Sequence, residues 1–195
     1  MRMGTVTAGA MIFLSISANA QSLSLQGLGP IRLGMTVAEA EHALHAKLGP
    51  LDLPSKECYV TRRADGRDEA LSYVVVNGKI EVMFVFLPSE EVPAPNILDG
   101  NGLGVGSTED DVIRTYGKVQ KELAPDYRQS KESLAADAKE RAQHGINEPE
   151  PSPEYWITVE GADHKRAIVF TTRDQKVLSF EIGLKPEIFS SEHCI

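Results

Sequence analysis

Apolar and polar positions alternate along residues 71–86, "LSYVVVNGKIEVMFVF", and this alternation predicts a β-hairpin. Asn77-Gly78 supplies its two-residue turn, which pairs Val76 with Lys79. Regular pairing from that turn would place seven apolar side chains on one face: Leu71, Tyr73, Val75, Ile80, Val82, Phe84 and Phe86. We expect this face to pack against a helix.

The opposite face of this hairpin is more apolar than a solvated sheet face usually is. Regular alternation assigns to it Ser72, Val74, Val76, Lys79, Glu81, Met83 and Val85. We therefore expect it to be covered, either by another part of the chain or by a partner protein.

Four further strands follow from similar patterns. Residues 56–62 read as an edge strand, and 154–161, 166–172 and 176–182 read as three strands linked by short turns. An acidic and polar insert, 124–154, separates the last three from what precedes them. Its middle is helix-prone and its end, "NEPEPSPE", is typical of an extended link.

Two similar helix starts lie 72 positions apart, in "IRLGMTVAEAEHAL" (31–44) and "LGVGSTEDDVIRTY" (103–116). Each has a glycine, then a threonine two residues later and an acid three residues after that. The threonine can cap the helix while the acid bonds back to the cap residue, and the glycine allows the preceding turn. The predicted cap residues are Gly34, Thr36 and Glu39 in the first copy and Gly106, Thr108 and Asp111 in the second. We expect the first helix to end at Gly49-Pro50 and the second at Gly117.

These elements predict an α+β fold of two tandem repeats, each a helix followed by an antiparallel meander and forming a two-layer sandwich. The first repeat would span 21–99. The second would span 100–195 and contain the 124–154 insert.

The glycines of "GNGLGVGSTEDDV" (100–112) are not expected to hold a nucleotide. Their spacing fits neither the dinucleotide fingerprint nor the lysine-containing phosphate loop. Three acids, Glu109, Asp110 and Asp111, also crowd the helix N-terminus that a phosphate would need. We expect no cofactor.

Residues 1–20 have the layout of a cleavable secretory signal: Arg2, a short apolar stretch, and Ala18-Asn19-Ala20 before Gln21. We expect cleavage after Ala20 and a periplasmic or secreted protein. The apolar stretch is too short to span a bilayer. No cysteine precedes Cys58, so we expect no lipid anchor.

In an oxidising compartment the two cysteines, Cys58 and Cys194, are expected to form a disulfide. A reactive thiol beside His193 is the alternative. The net charge of −8 gives nucleic acid and anionic membranes no electrostatic attraction and favours a neutral or basic protein partner.

Candidate chemistry is sparse. His42 and His45 lie three residues apart on the first helix and are two weak candidates for a metal site that needs further ligands. The chain has no G-x-S-x-G nucleophile motif and no isolated carboxylate pair of defined spacing. We therefore expect a protein that is not an enzyme, with no catalytic residues.

Candidate binding residues lie on the second hairpin face and its expected counterpart. Met83, Val85 and Trp156 would be apolar anchors, with Glu81 and Glu160 as flanking charges.

The repeated glycine-threonine-acid helix start followed by antiparallel strands resembles the tandem domains of the β-lactamase inhibitor protein and the small outer-membrane assembly lipoproteins. The "SEHC" end also resembles small exported proteins of unknown role. This resemblance implies a non-catalytic exported protein whose sheet faces bind another protein, as an inhibitor, immunity protein or envelope accessory. The alternatives are a small-ligand or metal-binding protein, with its site between the halves, and a hydrolase with an unrecognised site.

Overall fold

The computed structural model describes residues 21–50, 55–87, 95–125, 139, 143, 152–190 and 194. The predicted signal segment and most of the 124–154 insert lie outside the described residues. The chain has an α+β fold, as predicted, and its described residues include two short helices, at 37–44 and 109–116, and two sheets.

The larger sheet has eight antiparallel strands, and the smaller has four strands. The larger sheet contains β4 (Leu48–Pro50), β5 (Cys58–Arg63), β6 (Leu71–Val76), β7 (Lys79–Phe86), β9 (Gln120–Leu123), β10 (Tyr155–Glu160), β11 (Arg166–Arg173) and β12 (Lys176–Leu184). The smaller contains β1 (Gln21–Ser24), β2 (Gly27–Leu28), β3 (Ile31–Arg32) and β8 (Ile97–Asp99).

The strand order of the larger sheet is β4-β5-β6-β7-β12-β11-β10-β9, so β7 and β12 join its two halves at the centre. The predicted strand at 56–62 is therefore not at an edge, because β4 pairs outside it. Both halves have the same order of elements, a helix and then four strands. That the halves are tandem repeats, and that the boundary between them lies at 99–100, remain predictions.

Both predicted helix starts are confirmed. Helix α1 (Val37–Leu44) begins after Thr36 and helix α2 (Glu109–Tyr116) after Thr108. Each threonine accepts the amide of Glu39 or Asp111, and that acid bonds back to the cap amide. The preceding glycines, Gly34 and Gly106, have φ of 86° and 88°, which a side chain would disfavour.

The two helices end differently from one another. Gly117 closes α2, as predicted. The predicted end of α1 at Gly49-Pro50 is wrong: His45 adopts a left-handed conformation, and residues 48–50 form strand β4. The Glu41 carboxylate accepts the Leu48 amide at 3.0 Å and the Lys47 ammonium at 2.6 Å, which stabilises this early turn.

The hairpin of β6 and β7 has the predicted Val76–Lys79 pair but departs from regular alternation after it. Val75 lies opposite Ile80, whereas Val74 lies opposite Val82, so Glu81 is an extra residue in β7. Such a bulge reverses the side-chain alternation beyond it. The predicted faces are therefore wrong for five residues beyond the bulge. They are Val82, Phe84 and Phe86, predicted on the helix-packed face, and Met83 and Val85, predicted on the opposite face.

The first face of the eight-stranded sheet, defined as the face toward the helices and the smaller sheet, carries the main core. Its fully buried side chains include Tyr73, Ile80, Met83, Phe170 and Phe180. The second face, on the opposite side, carries a smaller buried cluster that includes Val74, Val82, Trp156, Val169 and Ile188.

Candidate functional site

The second face is partly covered by the end of the chain. We call residues 185–190 together with Cys194 the C-terminal strap. It contains a 3₁₀ turn, Glu187–Phe189, and is bonded to β5 by the Cys58–Cys194 disulfide, which confirms the predicted pairing. The side chain of Ile188 is fully buried on this face.

Gly183 of β12 makes room for Ile188. A Cβ atom at Gly183 would lie 3.0 Å from Cβ of Ile188 and 2.9 Å from Cγ2 of Val82. These distances are too short for an additional methyl group. The missing side chain at Gly183 therefore provides the notch in which the strap is anchored.

A groove of about 520 Å³ lies between the strap and strands β5 and β6, and we call it the disulfide groove. Val74 and Val76 line it from the sheet, and the Cys58–Cys194 disulfide lines it from one side. The strap contributes Pro186, Glu187, Phe189 and Ser190. Its lining is thus mostly apolar, and the ring of Phe189 is 36% exposed.

One carboxyl group lines the groove and a second lies close to it. Glu187 is in the lining, and Glu81 lies beside the strap, with its carbonyl oxygen and Cβ of Ile188 both 3.0 Å from the position that a Cβ of Gly183 would take. Burial raises the pKa of Glu81, and the neighbouring carboxyl group of Glu187 raises it further, against the opposing charge of Lys79. The bulge that introduces Glu81 into β7 thus adds an acidic group to a largely apolar surface.

The predicted binding residues are divided among four environments. Glu81 is half-buried beside the strap, next to the groove lining rather than within it. Trp156 belongs to the second-face cluster and is 6% exposed, and Glu160 is exposed, bonded to Lys185 and 3.1 Å from Nδ1 of His164. Met83 and Val85 were predicted on the second face, but both are fully buried in the core of the first face because of the bulge at Glu81.

The strap residues Pro186, Glu187 and Phe189 were not predicted as site residues. The sequence did contain a signal: apolar Ile188-Phe189 lies close before Cys194, and pairing of Cys194 with Cys58 brings this segment to the hairpin. Val74 and Val76 were correctly placed on the second face because they precede the bulge.

His42 lies on α1 and His45 directly after its end, with ring centroids 6.2 Å apart, and both line a surface pocket together with Glu41. The Glu41 carboxylate already binds Lys47 and the Leu48 amide. Within the described parts of the chain, no group of three or more histidine, cysteine, aspartate and glutamate side chains could hold a metal ion. A metal role for the two histidines remains a prediction without support from a third ligand.

Two buried acids have structural partners. Asp99 accepts the amides of Asn101 and Leu103 and the hydroxyl of Tyr116. Burial raises the pKa of Tyr116, and its hydrogen bond to Asp99 adds to this.

Glu109, at the start of α2, accepts hydrogen bonds from Lys121 and Thr172. Burial opposes ionisation, but these two bonds hold the pKa of Glu109 below its ordinary value. The pair Glu109–Lys121 thus connects α2 to the edge of the sheet.

The helices among the described residues are all too short or too polar to cross a membrane. Comparison of the chain with models of known protein families, with curated proteins and with solved structures gives no match.

Proposed function

We propose that this chain is an exported, non-catalytic protein-binding module that acts through the second face of its sheet at the disulfide groove. Its role would be that of an inhibitor, an immunity protein or an envelope accessory protein. The mechanism is occlusion: a surface of the partner binds in the groove, and other molecules can then no longer reach that surface.

The observation that carries this proposal is the open apolar groove beside an exposed aromatic ring. Phe189 is 36% exposed at a groove lined by Val74, Val76 and Pro186. Aromatic residues bordering an apolar pocket are frequent anchors of protein interfaces. On the first face, by contrast, the described helices and the smaller sheet cover the core.

Export is supported by the disulfide, which persists in oxidising compartments. Together with the signal expected at residues 1–20, it favours the periplasm or the medium. A non-catalytic role is supported by the buried acids Asp99 and Glu109, whose hydrogen bonds stabilise a turn and a helix start. The resemblance to the β-lactamase inhibitor protein and the assembly lipoproteins points the same way.

The test begins with site-specific photocrosslinking in the producing cells. A benzophenone amino acid replaces Phe189 or, as a matched control, Ile113, which is 38% exposed on α2. We expect one discrete protein adduct from position 189 and none from position 113.

The adduct partner, identified and purified, then serves in a binding assay. A charge in the groove floor, Val76→Arg, should weaken its affinity at least about tenfold, because it places a cation among apolar side chains. Ile113→Arg should leave the affinity unchanged. Equal binding by both variants would exclude the groove as the binding surface.

A further inference from the structure

The acids near the disulfide groove differ from those that form ion pairs at the surface. Several exposed and half-buried carboxylates have basic partners, including Glu41 with Lys47, Asp65 with Arg63, and Asp163 with Arg166. In the part of the chain that the structure describes, Glu81 and Glu187 form no ion pair. Glu81 lies beside the strap, because its carbonyl oxygen and Cβ of Ile188 are both 3.0 Å from the position that a Cβ of Gly183 would take.

Glu160 offers a direct comparison, because its carboxylate pairs with Lys185 of the strap and with His164. Lys185 also lies 5.5 Å from the centroid of the Phe189 ring, at the groove, yet its ammonium is used by Glu160. The strap thus neutralises Glu160 and leaves Glu187, in the groove lining, without an ion pair among the described residues, while Lys79 acts on Glu81 only as a nearby charge.

The groove places this acidity directly beside apolar surface. Glu187 lines the same cavity as Val74, Val76 and Phe189. An arginine or lysine side chain lays its methylene stem along apolar surface while its charged group reaches an acceptor. A neighbouring aromatic or aliphatic side chain of the same partner would fill the remaining volume.

We propose that the disulfide groove recognises a protein segment in which a large apolar side chain is followed by an arginine or lysine, whose cation pairs with Glu81 and Glu187. This inference rests on the proposed function and specifies the chemistry of its partner. The net charge of −8 adds long-range attraction for a basic partner.

The experiment is a titration of the ¹⁵N-labelled, disulfide-bonded protein, followed by NMR, with capped tetrapeptides. Three share the frame glycine-phenylalanine-X-glycine, with arginine, glutamine or glutamate at X. We expect the arginine peptide to bind about five- to tenfold more tightly than the glutamine peptide, and the glutamate peptide to bind weakest. The amides that shift should be those of Val74, Val76, Glu187 and Ser190.

Matched variants separate charge from shape. Glu81→Gln combined with Glu187→Gln should bring the arginine and glutamine peptides to within about twofold of each other. Glu160→Gln should preserve the preference, since Lys185 already neutralises Glu160. Thermal unfolding of each variant shows whether it is folded.

Equal binding of the arginine and glutamine peptides to the unmodified protein would overturn the inference while leaving a protein-binding groove. Failure of every peptide to bind would also overturn it. The crosslinking experiment tests the proposed function separately, because it does not depend on the charge of the partner.

Discussion

The two faces of the eight-stranded sheet are built from the same strands but differ in what covers them. The first face is covered by both helices and the smaller sheet, and its buried cluster includes Tyr73, Phe170 and Phe180. The second face has a smaller cluster, and its described cover is the strap, beside which the disulfide groove lies. One face therefore provides most of the stability, and the other leaves apolar and acidic groups accessible to a partner.

The central hairpins show how residues are assigned to these faces. Each contains a bulge, which lies opposite Val74 and Val75 in one half and opposite Thr171 and Thr172 in the other. The extra residue is Glu81 in β7 and Leu178 in β12. Both hairpins thus reverse their alternation, but only the first adds a carboxylate where it does so.

Removal of a core aromatic should have the largest effect. Phe170 is fully buried and stacks on Phe180 with ring centroids 5.7 Å apart. Phe170→Ala should lower the free energy of unfolding by about 3–5 kcal/mol, measured by urea denaturation. Phe189→Ala, on the second face, should cost less than about 1 kcal/mol because its ring is already partly exposed. Similar losses from both variants would remove the contrast between the faces.

Loss of the disulfide should act next most strongly and selectively on the second face. Replacing Cys58 and Cys194 by serine frees a loop between residues 136 positions apart, and the free energy of unfolding should fall by about 2–5 kcal/mol. The amides of Phe189 and Ser190, which bond to Pro186 and Glu187 in the strap, should lose protection from hydrogen exchange. Unchanged protection there would show that the strap is held without the disulfide.

Filling the notch at Gly183 tests how closely the strap is seated. Gly183→Ala should lower the free energy of unfolding by about 1–3 kcal/mol, since the new methyl group would crowd Val82 and Ile188. Gly49→Ala is the matched strand control, because its Cβ would meet Cβ of Ala64 at an ordinary 3.6 Å. Denaturation of the two variants should separate them clearly, and equal stability would argue against close packing by Ile188.

The smallest effect is expected from Glu81→Gln and depends on pH. The raised pKa of Glu81 means that the folded state holds its proton more tightly than the unfolded state, so ionisation of Glu81 costs stability as pH rises above about 4.5. Glutamine should therefore stabilise the protein at pH 7, with a gain that shrinks toward pH 4.5, measured by denaturation at several pH values.

Glu160→Gln is the control with the opposite sign. Hydrogen bonds from Lys185 and His164 lower the pKa of Glu160, so its contribution is present at neutral pH and is lost as pH falls below about 4.5. The same pH dependence for both variants would contradict the distinct environments assigned to Glu81 and Glu160.

Much of the local structure could be predicted from short stretches of sequence. The caps at Thr36 and Thr108 and the turn at Asn77-Gly78 depend on residues within three or four positions, so their chemistry is visible in the sequence. The candidate site was only partly visible: Val74 and Val76 line it and Glu81 lies beside it, whereas the strap residues were missed. Trp156 and the pair Met83 and Val85 were named as anchors but lie in buried clusters.

By itself, the sequence determined the two helix starts, the hairpin turn, the α+β class and the pairing of its only two cysteines, because each depends on local chemistry or on a unique choice. Tertiary structure alone decided the bulge at Glu81, the order of the eight strands and the seating of Ile188 at Gly183. Along "KIEVMFVF" both alternation registers bury apolar side chains, so the pattern has no preference between them. That choice depends on contacts with strands and a strap that lie about a hundred residues further along the chain.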